Sequence, residues 1–207
     1  MKNLYRNAAI VALGLAGSSA LATVTPDVFT NQVGKYPQLT AVEYYNPRLD
    51  RYFVTADPGE QAVTDEEAWL LESGWQRSGK SFGVWHADAV VPGTAIACRF
   101  AADPIIPPRS FYDTMNETEC ASLLQLERDS PPGRRAWRYV GGSFRAIPAP
   151  NGACPIGLVP VYALYNLGFE RGVDLNFRYV SSLDDFNAMI DQGWVGVARP
   201  HFCARPD

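Results

Sequence analysis

The sequence predicts an α+β fold: three divergent strand–strand–helix–strand–strand repeats, closed around a pseudo-three-fold axis. Three observations predict it. A Trp…Phe segment recurs, from Trp75 to Phe82, from Trp137 to Phe144 and from Trp194 to Phe202, with the aromatics seven, seven and eight positions apart. Each segment follows the same series: an aromatic opening strand, a strand carrying Phe, and a helix with a capping residue at its start. The period is long and roughly constant, 62 residues from Trp75 to Trp137 and 57 from Trp137 to Trp194. Units that cannot bury their apolar faces alone bury them on one another. The repeats run over about 40–94, 95–158 and 159–207, within a single domain spanning 40–207.

The segment ahead of the domain reads as an export signal over residues 1–22. Lys2 and Arg6 form a positive start, Ala8 to Gly17 is apolar but too short to span a bilayer, and Ala20-Leu21-Ala22 is a small-residue cleavage site. Cleavage there leaves a chain starting at Thr23, with residues 23–39 as an N-terminal arm. The expected location is therefore the periplasm or the medium, with no membrane association after cleavage.

In the first repeat, Ala41 to Tyr45 carries strand-forming residues, Asn46 to Asp50 is a turn, and Arg51 to Thr55 is the returning strand. Asp57 caps a helix with Pro58 at its first position and Glu60 three residues after the cap. Gly74 ends it. Trp75 to Trp85 reads as a closing hairpin that turns at Ser78-Gly79. In the second repeat, Ile96 to Phe100 and Arg109 to Thr114 are the strands. Asn116 caps the helix, with Glu119 at the capping-box position, and Ser130-Pro131 breaks it. Ala136 to Ala146 reads as a second closing hairpin, turning at Gly141-Gly142. In the third repeat, Val159 to Asn166 and Leu175 to Val180 are the strands. Ser181 or Ser182 caps a helix whose Leu183, Phe186, Met189 and Ile190 share one face, and Gly193 ends it.

Composition narrows the function. The chain of 207 residues carries a net charge of −4 and no basic stripe, which removes the electrostatic footprint of a nucleic-acid binder. Aromatics reach 12% of residues, and aromatics dominate both cores and binding sites. Four cysteines, Cys98, Cys120, Cys154 and Cys203, form an even set in an exported chain and predict two disulfides. Three pairings are open; we favour Cys120–Cys154 within the second repeat and Cys98–Cys203 to the C-terminal segment. A zinc site lacks a C-x-x-C and has only His86 and His201 to draw on. No metal and no cofactor is expected.

The segments Glu43-Tyr44-Tyr45-Asn46-Pro47, Tyr52-Phe53-Val54-Thr55 and Gly74-Trp75 with Gly79 and Phe82 resemble a repeat of secreted bacterial proteins whose function is unknown. Val161 to Asn166, Phe177 to Val180 and Gly193-Trp194 are similar. The second copy is more diverged, at Cys98-Arg99-Phe100, Ser110-Phe111-Tyr112, Trp137 and Gly141. The resemblance covers nearly all of 40–204 and implies an exported protein with a binding role. It departs where the family carries His and Glu: Tyr52, Ser110 and Asn176 stand at the first position, and Ser78, Val140 and Val197 at the second.

Two strings overlap the first Trp segment. Gly74 to Ser81 matches a phosphate-binding G-x-x-x-x-G-K-S, and Gly79 to Gly83 matches a G-x-S-x-G nucleophile elbow. Both need a turn from strand into helix, whereas a helix ends here and strands follow. Asp57 with Glu60, and Asp184 with Asp185, are carboxylate pairs of the kind a glycosidase uses, and helix capping explains both. The residues left for recognition are aromatic. Tyr44, Tyr45, Tyr52 and Trp85, with Arg51 beside them, form the candidate platform for sugar rings. The expected function is a non-catalytic, monomeric binding module for cell-envelope or extracellular glycans. The alternatives are a protein-interaction or inhibitor module, and a hydrolase using a carboxylate pair. A glycan site would be a shallow cleft that sets an aromatic face among polar side chains. A protein-docking site would be an exposed apolar patch, and an enzyme would bring ionisable groups together in a pocket.

Overall fold

A computed structural model describes residues 35–69, 74–102, 110–131, 137–171 and 175–207. The expected signal segment, and all of the N-terminal arm before residue 35, lie outside them. Among the described residues ten antiparallel strands form a nearly closed, barrel-like sheet, joined by helices, so the α+β class holds. The first hairpin joins β1 (Gln38–Asn46) to β2 (Arg51–Thr55), and α1 (Pro58–Trp69) follows. The chain returns along β3 (Gln76–Trp85), which pairs with β1. Next come β4 (Ala95–Ala102), β5 (Phe111–Thr114), α2 (Glu117–Asp129) and β6 (Trp137–Pro148), where β4 pairs with both β5 and β6. The last part holds β7 (Val159–Tyr165), the one-turn α3 (Gly168–Arg171), β8 (Phe177–Val180), α4 (Leu183–Asp191), β9 (Val195–Gly196) and β10 (Phe202–Ala204). Here β7 pairs with β8, β9 and β10.

The three long helices start where a side chain can satisfy an otherwise orphaned amide. The amide N–H of Glu60 donates to Asp57 Oδ1 at 2.8 Å. Glu119 N–H donates to Asn116 Oδ1 at 3.1 Å, and Asp185 N–H to Ser182 Oγ at 3.0 Å. Ser182 rather than Ser181 is therefore the cap of α4. Phe186 and Met189 of α4 are buried against Tyr162, Leu164 and Trp194, while Leu183 and Ile190 stay half exposed at the margin of that face.

The two expected closing hairpins are not formed. Each is one long strand, β3 and β6, and the glycines read as turn residues sit in bulges. Between the pairs Val42–Ser81 and Tyr44–Arg77, two steps along β1 face four along β3, and Gly79 lies there at φ +85°. In β6, extra residues enter between Arg145 and Gly142 and between Gly141 and Tyr139, with Gly141 at φ +118°. A bulge and a hairpin turn both demand positive φ, so glycine marks either. Pairing partners decide: β3 and β6 find theirs in the neighbouring β1 and β4.

The core gathers on one point. Phe82 of β3, Phe144 of β6 and Phe202 of β10 form a triangle, with ring centroids 6.3, 5.7 and 5.7 Å apart. Ala41, Val54, Val84, Ala97, Val161 and Tyr179 pack around it. The chain's last residues tie back to its first strands. Arg205 pairs its backbone with Gly83, and its guanidinium donates to Gln38 Oε1 at 2.6 Å and Val84 O at 3.0 Å.

The seam between β2 and β8 is closed by a side chain. Asn176, fully buried, accepts from Tyr52 N–H at 3.1 Å and donates to Asp50 O at 2.8 Å. Its own backbone exchanges hydrogen bonds with Asn166.

The disulfides correct the favoured pairing. They join Cys98 to Cys120 and Cys154 to Cys203. The first pins α2 onto β4; the second pins the segment after β6 onto β10. No helix among the described residues is long and apolar enough to cross a membrane. The separations are 22 and 49 residues. Loop-closure entropy alone puts their contributions at about 3.4 and about 4.1 kcal/mol. We expect Cys154→Ala/Cys203→Ala to lower the unfolding free energy more than Cys98→Ala/Cys120→Ala does. Urea unfolding of the two double variants checks this, and the reverse order would count against the loop-closure account.

Candidate functional site

An open cleft of about 530 Å³ lies between the first hairpin and the β4–β5–β6 sheet. Thr55, Asp57 and Glu60 line it from the end of β2 and the start of α1. Ala101 and Phe111 line it from β4 and β5, and Arg138 and Ser143 from β6. Arg99 lines it as well. Asp57 and Arg138 are exposed and Phe111 is half buried.

The cleft rests on a buried charge network. Arg99 stands directly opposite Asp113 across the β4–β5 ladder. Its Nε donates to Asp113 Oδ1 at 3.0 Å and its Nη2 to Asp113 Oδ2 at 3.2 Å, a two-pronged contact that fits guanidinium to carboxylate. Its Nη1 reaches Glu60 Oε2 at 3.3 Å, and Nη2 also donates to the Val54 carbonyl. Burial alone would weaken Arg99's hold on its proton, but the charge and hydrogen bonds of Asp113, then the charge of Glu60, outweigh it and raise the pKa. Ser143 donates to Asp113 Oδ1 at 2.7 Å. The backbone of Asp113 is held too: its N–H donates to the Tyr179 hydroxyl at 2.7 Å, and its carbonyl meets His201 Nε2 at 3.0 Å.

A second buried pair stands elsewhere on the barrel. Arg178 of β8 contacts both oxygens of Glu43 on β1, at 2.8 and 3.0 Å, and Ser78 donates to Glu43 at 2.7 Å. The guanidinium lies 4.2 Å from the ring centroid of Tyr52.

The five residues read as the platform do not form one. Tyr44 is fully buried, with its hydroxyl on Asp65 at 2.9 Å under α1 and its ring stacked on Phe53. Trp85 is 1% exposed and Arg51 6%. Trp85 packs against Ile147 and Cys203 with the Arg205 guanidinium over its ring. Only Tyr45 and Tyr52 are partly open. They stack on each other at 4.5 Å, and Tyr45 donates to Asp50 at 3.2 Å. Alternation along β1 misleads because both of its faces are covered, one by α1 and the other by the barrel interior.

The same stacked pair recurs at the other end of the chain. Tyr165 of β7 lies on Phe177 of β8 at 5.2 Å, and its hydroxyl donates to Glu170 at 2.9 Å. Both tyrosines sit directly across the ladder from their ring partners. On β4–β5 the corresponding pair is Ala101 and Phe111, which is where the cleft opens; the ladders thus place Phe111 and Phe177, rather than Ser110 and Asn176, at the position of Tyr52.

The remaining motifs resolve simply. The G-x-x-x-x-G-K-S and G-x-S-x-G strings run into and along β3, and Ser81 donates to Asp207. His86 bonds locally to the Asp88 amide at 3.2 Å. No cluster of three or more metal-ligating side chains occurs among the described residues. Arg99, Ala101, Phe111 and Arg138 are not among the site residues to which the sequence points. A charged Arg99 inside the apolar run Ile96 to Ala101 was the available signal, because a charge buried in a strand requires a partner. Comparison with protein-family models, with curated proteins and with solved structures finds no match for this chain.

Two predictions follow from the buried groups. Arg99→Met strands Asp113 as a buried carboxylate and is expected to lower the unfolding free energy by about 3–5 kcal/mol. Arg99→Met/Asp113→Leu is expected to be less destabilised than Arg99→Met, and urea unfolding compares them; a double variant at least as unstable would refute the pairing as the source of the cost. The second concerns alkali. Burial, then the hydrogen bond to Asp65, pushes Tyr44 up to about 12. Burial, then the charge of Glu119, holds Tyr112 well above the ordinary range, as burial and the charge of Asp113 hold Tyr179. Unfolded tyrosine ionises near pH ~10. A folded pKa raised above that leaves stability intact below pH ~10 and removes it as the pH climbs through the folded values. Phenolate absorbance followed alongside circular dichroism should show these three ionising only as the fold is lost. Complete ionisation near pH ~10 in a protein still folded would overturn this.

Proposed function

We propose that this chain is an exported, non-catalytic glycan-binding module, made of three divergent copies of one unit of the secreted repeat family it resembles. The observation that carries the binding reading is the cleft. It sets the face of Phe111 among Glu60, Asp57, Arg138 and Ser143, which is the pairing of apolar surface with a few oriented polar groups that fixes a small ligand. Pyranose rings offer flat C–H faces to aromatics and a rim of hydroxyls to carboxylates and guanidinium groups.

Several features support three copies. The second strand of each unit pairs with the first, and a strand after each long helix returns to the first strand: β3 on β1, β6 on β4, β9 on β7. The Phe that closes each unit meets the other two in one triangle. Export is supported by two disulfides, which persist in oxidising compartments. Binding without turnover is supported by the roles of the two cleft carboxylates. Asp57 caps α1 and Glu60 pairs with Arg99, so each already carries a structural bond.

Titration of the oxidised protein against soluble peptidoglycan fragments, maltohexaose, cellohexaose and chitohexaose tests the reading. Tryptophan fluorescence and calorimetry are the readouts. Saturable binding to at least one is expected, weakened about tenfold by Arg138→Ala. This arginine is exposed on β6, and its loss should leave the melting temperature unchanged. Failure of every probe to saturate would sink the glycan reading.

A further inference from the structure

We infer that the cleft seats one neutral pyranose ring on Phe111, in the place that a tyrosine fills on the two other hairpins. The inference rests on the glycan reading and names the subsite and ligand charge within it. On β1–β2, Tyr45 covers Tyr52 with its ring 4.5 Å away; on β7–β8, Tyr165 covers Phe177 at 5.2 Å. In each case the tyrosine stands directly opposite its partner across the ladder, where side chains on neighbouring strands meet. Each tyrosine also anchors its hydroxyl on a carboxylate of the following loop, Asp50 or Glu170. On β4–β5 the same position opposite Phe111 holds Ala101. A methyl group stands where the other hairpins carry a phenol, and both Ala101 and Phe111 line the cleft.

That position takes a six-membered ring on the two other hairpins; here Ala101, 5% exposed, lines the cleft beside Phe111. Its surroundings differ from theirs in being polar. Glu60, Asp57, Arg138 and Ser143 line the cleft together with Ala101 and Phe111. The Arg99 guanidinium lies over a face of the Phe111 ring, 5.1 Å from its centroid. A saccharide ring meets both conditions at once, presenting C–H bonds to Phe111 and hydroxyls to the wall. An apolar ring would leave the wall groups unsatisfied. The exposed charges, Asp57 and Arg138, cancel, and Arg99 is already shared by Glu60 and the buried Asp113, so no free positive charge is left to attract an acidic sugar.

The test uses Ala101→Tyr, which restores the pattern of the other hairpins and fills the seat. The variant is expected to bind maltohexaose, cellohexaose or chitohexaose, whichever saturates the unaltered protein, at least about tenfold more weakly. Its melting temperature should be equal or higher. Undiminished binding by a folded Ala101→Tyr overturns the subsite and leaves the glycan reading standing. Should the variant fail to fold, the Ala101 methyl resonance of the unaltered protein decides: it must shift on saturation with the same hexaose, and an unmoved resonance overturns the subsite. Saturation by charged peptidoglycan fragments alone overturns the neutral-ring inference but not the glycan reading. No saturation by any probe removes both.

Discussion

The pairing of Arg99 with Asp113 is the interaction on which the remainder depends. A guanidinium taken out of water is costly unless its donors are met and its charge is balanced. Here that demand is satisfied by groups from several parts of the chain: Asp113 from the facing strand, Glu60 from α1 and the carbonyl of Val54 from β2. Asp113 in turn holds Ser143 on β6, and through its backbone Tyr179 on β8 and His201 before β10. One ion pair thus reads the position of five strands and a helix. Hydrophobic packing around Phe82, Phe144 and Phe202 supplies the larger share of the driving force but is indifferent to small shifts. The ion pair tolerates few arrangements, and it fixes the walls of the cleft relative to each other.

What was legible in the sequence was local. Asp57, Asn116 and Ser182 cap their helices because a cap is a contact within four residues, and such contacts are written in adjacent letters. The three Trp…Phe segments were equally visible. Non-local choices were not. Gly79 and Gly141 announce positive φ without saying whether the chain turns back or bulges, since only the presence of β1 and β4 decides. Cysteine pairing is a question of distance in space, and Cys98 lies near Cys120 only once α2 has packed on β5 and β6, beside β4. Tyr44 looked accessible by alternation, yet α1 folds over that face.

The cleft was the least legible part for a related reason. Ala101 is an ordinary residue for a buried strand, and nothing in its own neighbourhood calls attention to it. Its meaning comes from register: it stands opposite Phe111 as Tyr45 stands opposite Tyr52 and Tyr165 opposite Phe177. A missing ring can be noticed only by comparison with the places where the ring is present. Arg99 and Ala101 occupy alternate positions of one strand, and both line the cleft.

The amide of Asn176 has a consequence for how the molecule meets others of its kind. The outermost strands of a sheet are ordinarily templates, because their unsatisfied peptide groups welcome a strand from another chain. At this seam the outward N–H of Tyr52 and the carbonyl of Asp50 are already engaged by a side chain that imitates a peptide. The two ends of the strand order are stitched to each other by an amide that cannot propagate, since a side chain has no next residue to extend a ladder. The barrel is thereby sealed at that point by a side chain, and polymerisation along the seam is denied its first hydrogen bonds.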